Sequence, residues 1–380
     1  MNSTNDTFKT VIAGGGVAAL EGALALRDLA GDRIELTLLA PAKDFVYRPM
    51  TVREPFGYRS ARRYSLDEIA RDIGAELRID SFKWLDPAAQ TVHTESGDQL
   101  AYDALLLALG ARRFKRYAHA VTLDDSCLDE QLHGLIQDVE QGYVRSLAFI
   151  APSRMPWPLP LYELALMTAA RAYDMNIELP ITIVTPEDSP LAVFGREASA
   201  EIGQVLATAG IEVITAAHAE VPEVGTIAIH PGPRQISAQR IVALPELCGP
   251  WAPGVPGTAS GGFIRIDEHG KVRQLDRVYA AGDATDFPVK HGGIAAQQAD
   301  AAAASIAVLA GVAADTAPIK PMIRGILLGP DRPLYMSAHL TGGHGSDSHI
   351  SEQPLWSPPT KIAARYLAPY LETLDPIAVA

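Results

Sequence analysis

The stretch TVIAGGGVAA, from Thr10 to Ala19, decides the fold. A short β-type run ends in three consecutive glycines, and a helical pattern follows over Val17–Ala30 until Gly31 closes it. Residues 34–39 form a further apolar run that predicts a second strand. A strand, a glycine loop, a helix and a strand within about 30 residues predict a Rossmann βαβ unit.

The glycine loop fits the pattern G-x-G-x-x-A, which is typical of a dinucleotide-binding turn. Its first glycine permits the turn, its second lets the backbone approach a pyrophosphate, and the alanine allows close helix–strand packing. The helix start offers free N–H groups to the phosphates. The residues expected to contact a dinucleotide here are Gly14, Gly16, Val17, Ala18 and Ala19. The usual acidic residue after the second strand is absent, since Leu39–Pro41 stands there, so the adenosine ribose must be held in another way.

Two later elements return to the same theme. A leucine-rich run over residues 102–110 predicts a buried strand that ends in a turn at Ala108, Leu109 and Gly110. Residues 277–283 predict another strand and turn, followed by an alanine-rich helix over about 294–310. A carboxylate at the end of such a strand can accept hydrogen bonds from the ribityl hydroxyls of a flavin. Asp283 is therefore a candidate flavin ligand, and Gly282 allows its close approach.

A second αβ series lies between these parts. Strands are predicted at 147–150, 181–184 and 211–214, with helices at 161–172 and 198–209. The loop after its first strand, Ala151–Pro160, holds four prolines and no glycine. Proline lacks an amide donor, so this loop suits a pyrophosphate poorly. Whether NAD(P)H binds here stays open.

These elements, in this order, resemble the FAD-dependent pyridine nucleotide–disulfide oxidoreductase superfamily over most of residues 8–310. Sulfide:quinone oxidoreductase with flavocytochrome c sulfide dehydrogenase, and type II NADH dehydrogenases, are the most similar subgroups. The resemblance implies FAD as cofactor and an α/β fold with two Rossmann-like dinucleotide-binding domains of the three-layer β/β/α flavoprotein type. We expect the FAD domain at 1–112 plus 255–312, the second domain at 113–254 and a C-terminal segment at 313–380.

The resemblance also assigns roles to individual residues. It implies that Arg48 and Pro49 line the flavin, that the Phe82 backbone touches adenine, and that Ala108–Gly110 replaces the family's A-T-G turn. Gly293 and Ile294 would begin the helix whose N-terminus stabilises negative charge on reduced flavin. The candidates for catalysis are Glu163, near the isoalloxazine in the family, and Lys290 and His291 beside that helix. For each of these three, a purely structural role stays open.

The cysteines argue against the family's usual relay. The sulfide:quinone subgroup transfers electrons through paired cysteines, one in the proline-rich loop and one near residues 330–340. This chain has only Cys127 and Cys248, and neither lies in those places. We expect both thiols to be packed side chains and sulfide oxidation by the family mechanism to be absent.

Composition limits the partners. The 32 basic and 45 acidic residues give a net charge of −13, which disfavours nucleic acid. No apolar run reaches the roughly 18 residues of a membrane span, and the polar N-terminus does not fit a secretory signal. We expect a cytoplasmic protein with small-molecule electron donor and acceptor, and a homodimer by family analogy.

Two features of the C-terminal segment gave further predictions. A short amphipathic helix is predicted at Lys361–Leu367, capped by Thr360 and stopped by Pro369, and too short for more than marginal membrane contact. His339, His344 and His349 lie five apart in what the sequence predicts to be a glycine- and serine-rich loop. This spacing disfavours metal binding, and no metal site is predicted.

Three functions remain open at this point. The first is an FAD-dependent oxidoreductase that passes electrons through flavin to a quinone or other small acceptor without a cysteine relay. A second is an NAD(P)H-dependent flavin reductase or dehydrogenase with an atypical nucleotide site. The third is a non-catalytic flavin-binding sensor.

Overall fold

A computed structural model of the chain describes residues 7–57, 61–123, 131–153, 157–257, 261–329, 332–341 and 344–375. Its helices, in chain order, are α1 (Val17–Ala30), α2 (Leu66–Asp72), α3 (His133–Glu140), α4 (Leu159–Asp174), α5 (Arg196–Thr208), α6 (Gly292–Leu309) and α7 (Leu367–Leu374). Helix α1 begins and ends at the residues that the sequence indicates, because its glycine borders are local signals.

The first sheet has five parallel strands. Their order across the sheet is Val278–Ala280, Ala104–Leu107, Phe8–Ala13, Ile34–Ala40 and Glu76–Ile79. One strand comes from residues 278–280 and the others from residues 8–107, so the chain leaves this sheet and later returns to it. The carboxyl ends of the strands at 8–13 and 104–107 lie side by side at the centre of the sheet.

The two faces of this sheet are covered differently. Side chains alternate along each strand, so Ile12 and Leu106 pack with α1 and α6 while Val11 and Leu107 pack on the other face. The second face is covered by a three-stranded antiparallel sheet: Phe82–Asp86, Thr91–Thr94 and Gln99–Ala101. The result is a three-layer β/β/α arrangement. The predicted fold class is confirmed.

The second sheet is also parallel and carries the second αβ series. Its strand order is Val121–Thr122, Arg240–Ala243, Leu147–Ile150, Ile181–Val184 and Ile211–Ile214. A three-stranded antiparallel sheet, His218–Glu223, Thr226–His230 and Arg234–Ser237, adjoins it. Two short antiparallel pairs complete this part, namely Arg112–Phe114 with Glu246–Cys248 and Asp44–Val46 with Arg63–Ser65. The domain boundaries themselves remain predictions.

The C-terminal part differs from the sequence prediction. It contains an antiparallel sheet of Met322–Leu327, Leu334–Thr341 and His344–Ser351. His339 and His349 therefore lie on strands and not in a loop, and the sheet packs against Phe194 of the second αβ series. Among the described residues, no group of His, Cys, Asp or Glu is arranged to hold a metal ion.

The predicted helix at Lys361–Leu367 is wrong. Residues 360–366 are irregular, and α7 begins only at Leu367, so Pro369 lies in its first turn and does not stop it. A proline is tolerated there because the first-turn amides have no partner within the helix. Of the residues described, none forms a helix both long and apolar enough to cross a membrane.

Candidate functional site

The glycine loop brings two strand ends into direct contact. Gly14 has φ +139°, and a Cβ there would lie 2.2 Å from the carbonyl oxygen of Ala108. No other residue type fits, so the loop at 14–16 and the turn at 108–110 form one surface. Next to it, a Cβ on Gly16 would meet nothing within 4 Å, and α1 begins there without a side-chain cap or a first-turn acid. The start of α1 thus presents free N–H groups to open space, as a pyrophosphate requires.

The turn at 282–284 closes the same region from the next strand. Gly282 has φ +79°, and a Cβ on it would stand 3.2 Å from the Cβ of Ala18 in the first turn of α1. The amide of Gly282 donates to Oε1 of Gln298 in α6 at 2.8 Å. The Nε2 of Gln298 is buried and has no hydrogen-bond partner among the described residues. The turn at 282–284 therefore contacts both the first turn of α1 and Gln298 of α6.

Asp283 lies in this turn, directly after Gly282. Its residue keeps some contact with solvent, but the carboxyl group lies deep among protein atoms, and this burial raises its pKa. The charges of Lys290, Arg113 and Arg48 oppose that rise. Within the described part of the chain no hydrogen bond reaches its carboxylate, which leaves it able to accept hydrogen bonds from a polyol. This geometry fits the ribityl chain of FAD.

Lys290 is held next to this carboxylate. Its Nζ donates to the carbonyl of Thr285 and lies 4.0 Å from the centre of the Phe263 ring. Burial lowers the pKa of Lys290 to about 8, against the opposing effect of Asp283 and Asp286. At neutral pH the side chain is therefore mostly charged.

His291 serves as the N-cap of α6. Its Nδ1 accepts a hydrogen bond from the amide of Gly293 at 3.1 Å, and the residue is buried. Burial lowers the pKa of His291 to about 4, against a backbone hydrogen bond with Arg324. The ring is thus neutral at physiological pH, and its cap geometry gives it a structural role whether or not it also transfers protons.

Glu163 forms a buried ion pair that the sequence did not reveal. The Nζ of Lys361 lies 2.6 and 2.7 Å from its two carboxylate oxygens, and the amide of Leu328 donates to Oε1 at 2.8 Å. Only 4% of the Lys361 side chain and 0% of the Glu163 side chain is exposed. Lys361 Nζ also lies 3.2 Å from the carbonyl oxygen of Pro49, one of the predicted flavin-lining residues. Burial raises the pKa of Glu163 and lowers that of Lys361, while their mutual attraction opposes both shifts.

Lys361 belongs to a C-terminal strap, defined here as residues 356–367. The indole N–H of Trp356 donates to the Thr360 carbonyl at 3.0 Å, and the amide of Ile362 donates to the Tyr47 hydroxyl at 3.0 Å. Ile362 also covers Gly292 at the start of α6, since a Cβ on that glycine would be 3.1 Å from its side chain. The strap therefore crosses the loop at 47–49 and the N-terminus of α6.

The other predicted residues fall around the same sheet edge. Phe82 begins the antiparallel layer and is half-buried, Arg48 is exposed, and Gly293 and Ile294 are buried in the first turn of α6. Cys248 is a free cysteine on the strand that pairs with Arg112–Phe114. Cys127 lies outside the described residues.

The described residues at the start of helix α4, in the second αβ unit, differ from those at the start of α1. Helix α4 begins after Pro158 with Leu159 and Pro160, so two of the positions that would point donors at a phosphate have no amide hydrogen. Trp157, just before α4, contacts both units, with its ring 5.7 Å from that of Phe194 and 4.7 Å from that of His291.

The acidic residue after the strand Ile181–Val184 of this unit already accepts hydrogen bonds from the protein itself. Glu187 is buried and accepts hydrogen bonds from Tyr162 at 2.7 Å and Thr185 at 3.0 Å. Burial raises its pKa to about 7. A ribose of NAD(P)H would find this carboxylate turned inward. At the start of α4 and at Glu187, the described residues suit a nicotinamide dinucleotide less well than the start of α1 suits a pyrophosphate.

Comparison with known proteins supports the sequence resemblance. No protein-family model matches the chain. The sulfide-quinone reductase of Aquifex aeolicus (strain VF5) is 31% identical over 104 residues, which is 27% of this chain and 24% of that protein. The match thus spans about a quarter of the relative's length.

Solved structures match over far more of the chain. The sulfide:quinone oxidoreductase from Aquifex aeolicus superposes with a TM-score of 0.82 at 17% identity, covering 98% of this chain and 96% of that one. A ferredoxin reductase from Rhodopseudomonas palustris has a TM-score of 0.67 at 19% identity, with 88% and 83% covered. An NAD-dependent persulfide reductase from A. fulgidus has a TM-score of 0.63 at 19% identity, with 89% and 65% covered. The predicted resemblance is confirmed, and the chain has the fold of sulfide:quinone oxidoreductase.

Proposed function

We propose that this protein is an FAD-dependent oxidoreductase that passes electrons through the flavin to a quinone or another small acceptor. It does so without NAD(P)H and without a cysteine relay. One observation carries the proposal: the first αβ unit is open to a pyrophosphate beyond Gly16, whereas helix α4 of the second begins with prolines that lack amide donors. A chain with one dinucleotide site open at a helix start, and a second helix start poor in amide donors, fits a flavoprotein that takes electrons from a donor other than NAD(P)H.

The residues around the first site fit FAD. Gly14, Gly16 and the start of α1 would hold the pyrophosphate, and the Asp283 carboxylate would accept hydrogen bonds from the ribityl hydroxyls. When bound, FAD supplies the electron transfer itself, and the protein orients it and tunes its potential. The amide of Gly293 already donates to His291, so the positive end of the α6 dipole and the nearby Lys290 would stabilise negative charge on the reduced cofactor.

The ion pair between Glu163 and Lys361 would act next to this charge. It is buried, and it joins α4, the strap and the carbonyl of Pro49. An ammonium group that is fixed in a water-poor site attracts a nearby negative charge more strongly than an ammonium group in water does. We propose that Lys361 orients the flavin-lining loop and that Glu163 keeps Lys361 in place. A role for Glu163, Lys290 or His291 in proton transfer remains part of this proposal.

The relatives suggest the class of acceptor. The protein with the highest structural similarity quoted above is named for a quinone. The chain lacks cysteines at the positions of the predicted relay, which favours direct transfer between flavin and acceptor over a sulfide reaction through a disulfide. A cytoplasmic location and a homodimer stay predictions that cell fractionation and light scattering of the purified protein would test.

An anaerobic titration tests the proposal. The visible spectrum of the purified protein is recorded while NADH, then NADPH, then sulfide is added, and the flavin reduced by dithionite is afterwards mixed with a short-chain quinone. We expect a flavin spectrum, no bleaching by either nicotinamide, and rapid reoxidation by the quinone. A Gly16→Val variant is the matched control and should be colourless because its side chain occupies the open space at α1.

Each other outcome selects an alternative. A colourless wild-type protein contradicts the flavin site altogether. Bleaching by NADH or NADPH at rates of turnover would make the protein a nicotinamide-dependent reductase. A bound flavin that no donor reduces and no quinone reoxidises would favour the non-catalytic sensor.

A further inference from the structure

A buried carboxyl pair holds the end of the strap. Glu21 on α1 is 0% exposed, and its carboxylate accepts hydrogen bonds from three successive amides: Arg365 at 2.6 Å, Tyr366 at 3.0 Å and Leu367 at 2.5 Å. These amides lead into α7, so Glu21 caps that helix from a distant part of the chain. An ionised carboxylate is needed here because all of its partners are donors.

A second carboxyl group faces the first. Asp300 on α6 interacts with Glu21, and its Oδ1 is buried without a hydrogen-bond partner among the described residues. Burial raises the pKa of Glu21, and its three backbone amide donors oppose this rise. Two carboxylates in contact cannot both stay ionised at low cost, and Oδ1 of Asp300 has no such donor among the described residues, so Asp300 carries the proton. Burial and the charge of Glu21 raise the pKa of Asp300 to about 8, while Arg365 opposes the rise.

We propose that Glu21 and Asp300 are positioning residues that keep the strap closed over the site, and that ionisation of Asp300 releases it. The strap carries Lys361 and covers Gly292 with Ile362, so its release would remove both from the flavin region. This last step rests on the proposed function, whereas the release itself does not.

The other charged and titratable groups near Asp300 do not account for a pH-dependent release of the strap. The strap contributes Arg365, which is exposed and lies over the Tyr366 ring at 5.1 Å, and Tyr366 itself, whose hydroxyl bonds Asp28 of α1 at 3.3 Å. Burial raises the pKa of Tyr366, and the charge of Arg365 opposes this. Among these groups Asp300 is the one whose pKa is raised to about 8, so its ionisation is the one expected to weaken the closed strap below that pH.

The sign follows from the raised pKa. An acid with a higher pKa in the folded than in the unfolded state stabilises the fold fully only at low pH, and this contribution is lost as pH rises through about 8. Opening should become more favourable by up to about tenfold per pH unit as pH rises from the ordinary range of an Asp carboxyl group towards about 8, and it should level off above that value.

Tryptic cleavage of the full-length protein measures the opening. Cleavage after Lys361 and Arg365 is followed by mass spectrometry between pH 6.5 and 9.5, and each rate is divided by that of a reference peptide. We expect the wild-type rate to rise between pH 6.5 and about pH 8 and to level off at higher pH. Asp300→Asn should remove the rise, because the amide can still donate to Glu21 without ionising. Tyr370→Phe, which removes a hydrogen bond between α7 and Asp72, is the control and should keep the rise.

Two results would overturn the inference: a wild-type rate that is flat with pH, or an Asp300→Asn variant that rises as the wild type does. Hydrogen exchange of the amides at 365–367 provides the same readout without protease. Flavin absorbance of the same samples reports separately on the proposed function. A colourless protein whose strap opens in an Asp300-dependent way would support the carboxyl pair and remove only the flavin proposal.

Discussion

Replacing Lys361 by methionine tests whether the buried ion pair holds the site together. The substitution keeps the length of the side chain and removes its charge, so Glu163 stays buried with the amide of Leu328 as its remaining donor. Loss of one partner from a buried pair costs about 3–5 kcal/mol of stability, because the other charge remains without compensation. At about 2.1 cal/mol/K of unfolding entropy per residue, this corresponds to a fall of about 4–6 °C in the melting temperature of a 380-residue chain.

The pH dependence provides a second measure of the same effect. Burial already raises the pKa of Glu163, and loss of Lys361 raises it further. Because the raised pKa lies in the folded state, the variant regains stability as pH falls and its carboxyl group takes up a proton. The destabilisation relative to wild type should therefore be smaller at pH 5 than at pH 8, by up to about 1.4 kcal/mol for each pH unit over which Glu163 titrates.

Thermal and urea unfolding of wild type, Lys361→Met and Glu163→Gln/Lys361→Met at pH 5 and pH 8 would check this. The double variant should recover most of the stability, because a neutral amide needs no counter-ion and still accepts from Leu328. Lys83→Met is the matched control, since its pair with Glu95 is exposed at 3.6 Å and should contribute at most about 1 kcal/mol. A loss below 1 kcal/mol for Lys361→Met, or one that is equal at both pH values, would refute the reasoning.

Three further predictions concern the site and its neighbour. Gly16→Val should lower flavin affinity by at least about tenfold, seen as loss of the visible spectrum, because its side chain enters the open space at the start of α1. Apoprotein stability should fall by at most about 1 kcal/mol, because Gly16 is the N-cap of α1 and valine is a poorer cap than glycine. Gly203→Ala on α5, which is equally open, should keep the flavin. His291→Ala should cost about 0.5–2 kcal/mol through loss of the α6 cap, and His291→Asn should restore it, as urea unfolding at pH 7 would show. Since the pKa of His291 is lowered to about 4, wild-type stability should also fall between pH 6.5 and 4, and the Asn variant should lack this part of the fall. Tyr162→Phe removes a hydrogen-bond donor from buried Glu187, so it should destabilise the protein by about 1–3 kcal/mol. The loss should be larger at pH 8 than at pH 6, because the pKa of Glu187 is raised to about 7. Equal losses at both pH values would contradict the buried, ionisable state of Glu187.

Much of both αβ units could be predicted from the sequence. The bounds of α1 and the strands at 147–150, 181–184 and 211–214 agree with the structure because each follows from neighbouring residues. A Gly-rich loop before a helix, a helical period closed by glycine and short β-branched runs are all local signals. The sequence also predicts that the loop Ala151–Pro160 suits a pyrophosphate poorly, because prolines lack amide donors in any fold.

The C-terminal part could not be predicted in the same way. Residues 360–366 have a helical pattern, yet their amides and side chains bond to Glu21, Tyr47 and Glu163, which outcompete a local helix. The prediction that Pro369 stops the helix was also wrong, since the effect of a proline depends on whether it falls in the first turn or the interior of a helix. The antiparallel sheet at 322–351 was missed because its strands are stabilised by packing on Phe194 more than by their own composition.

The sequence by itself determined the α/β class, the open dinucleotide loop at 14–19 and the absence of cysteines where the relay would lie. Only the tertiary structure decided which charged residues surround the site. Lys361 meets Glu163 across 198 positions, and Glu21 caps amides 344 to 346 positions away. Such pairs form because burial makes an unpartnered charge costly, and burial is a property of the packed chain that no local pattern records.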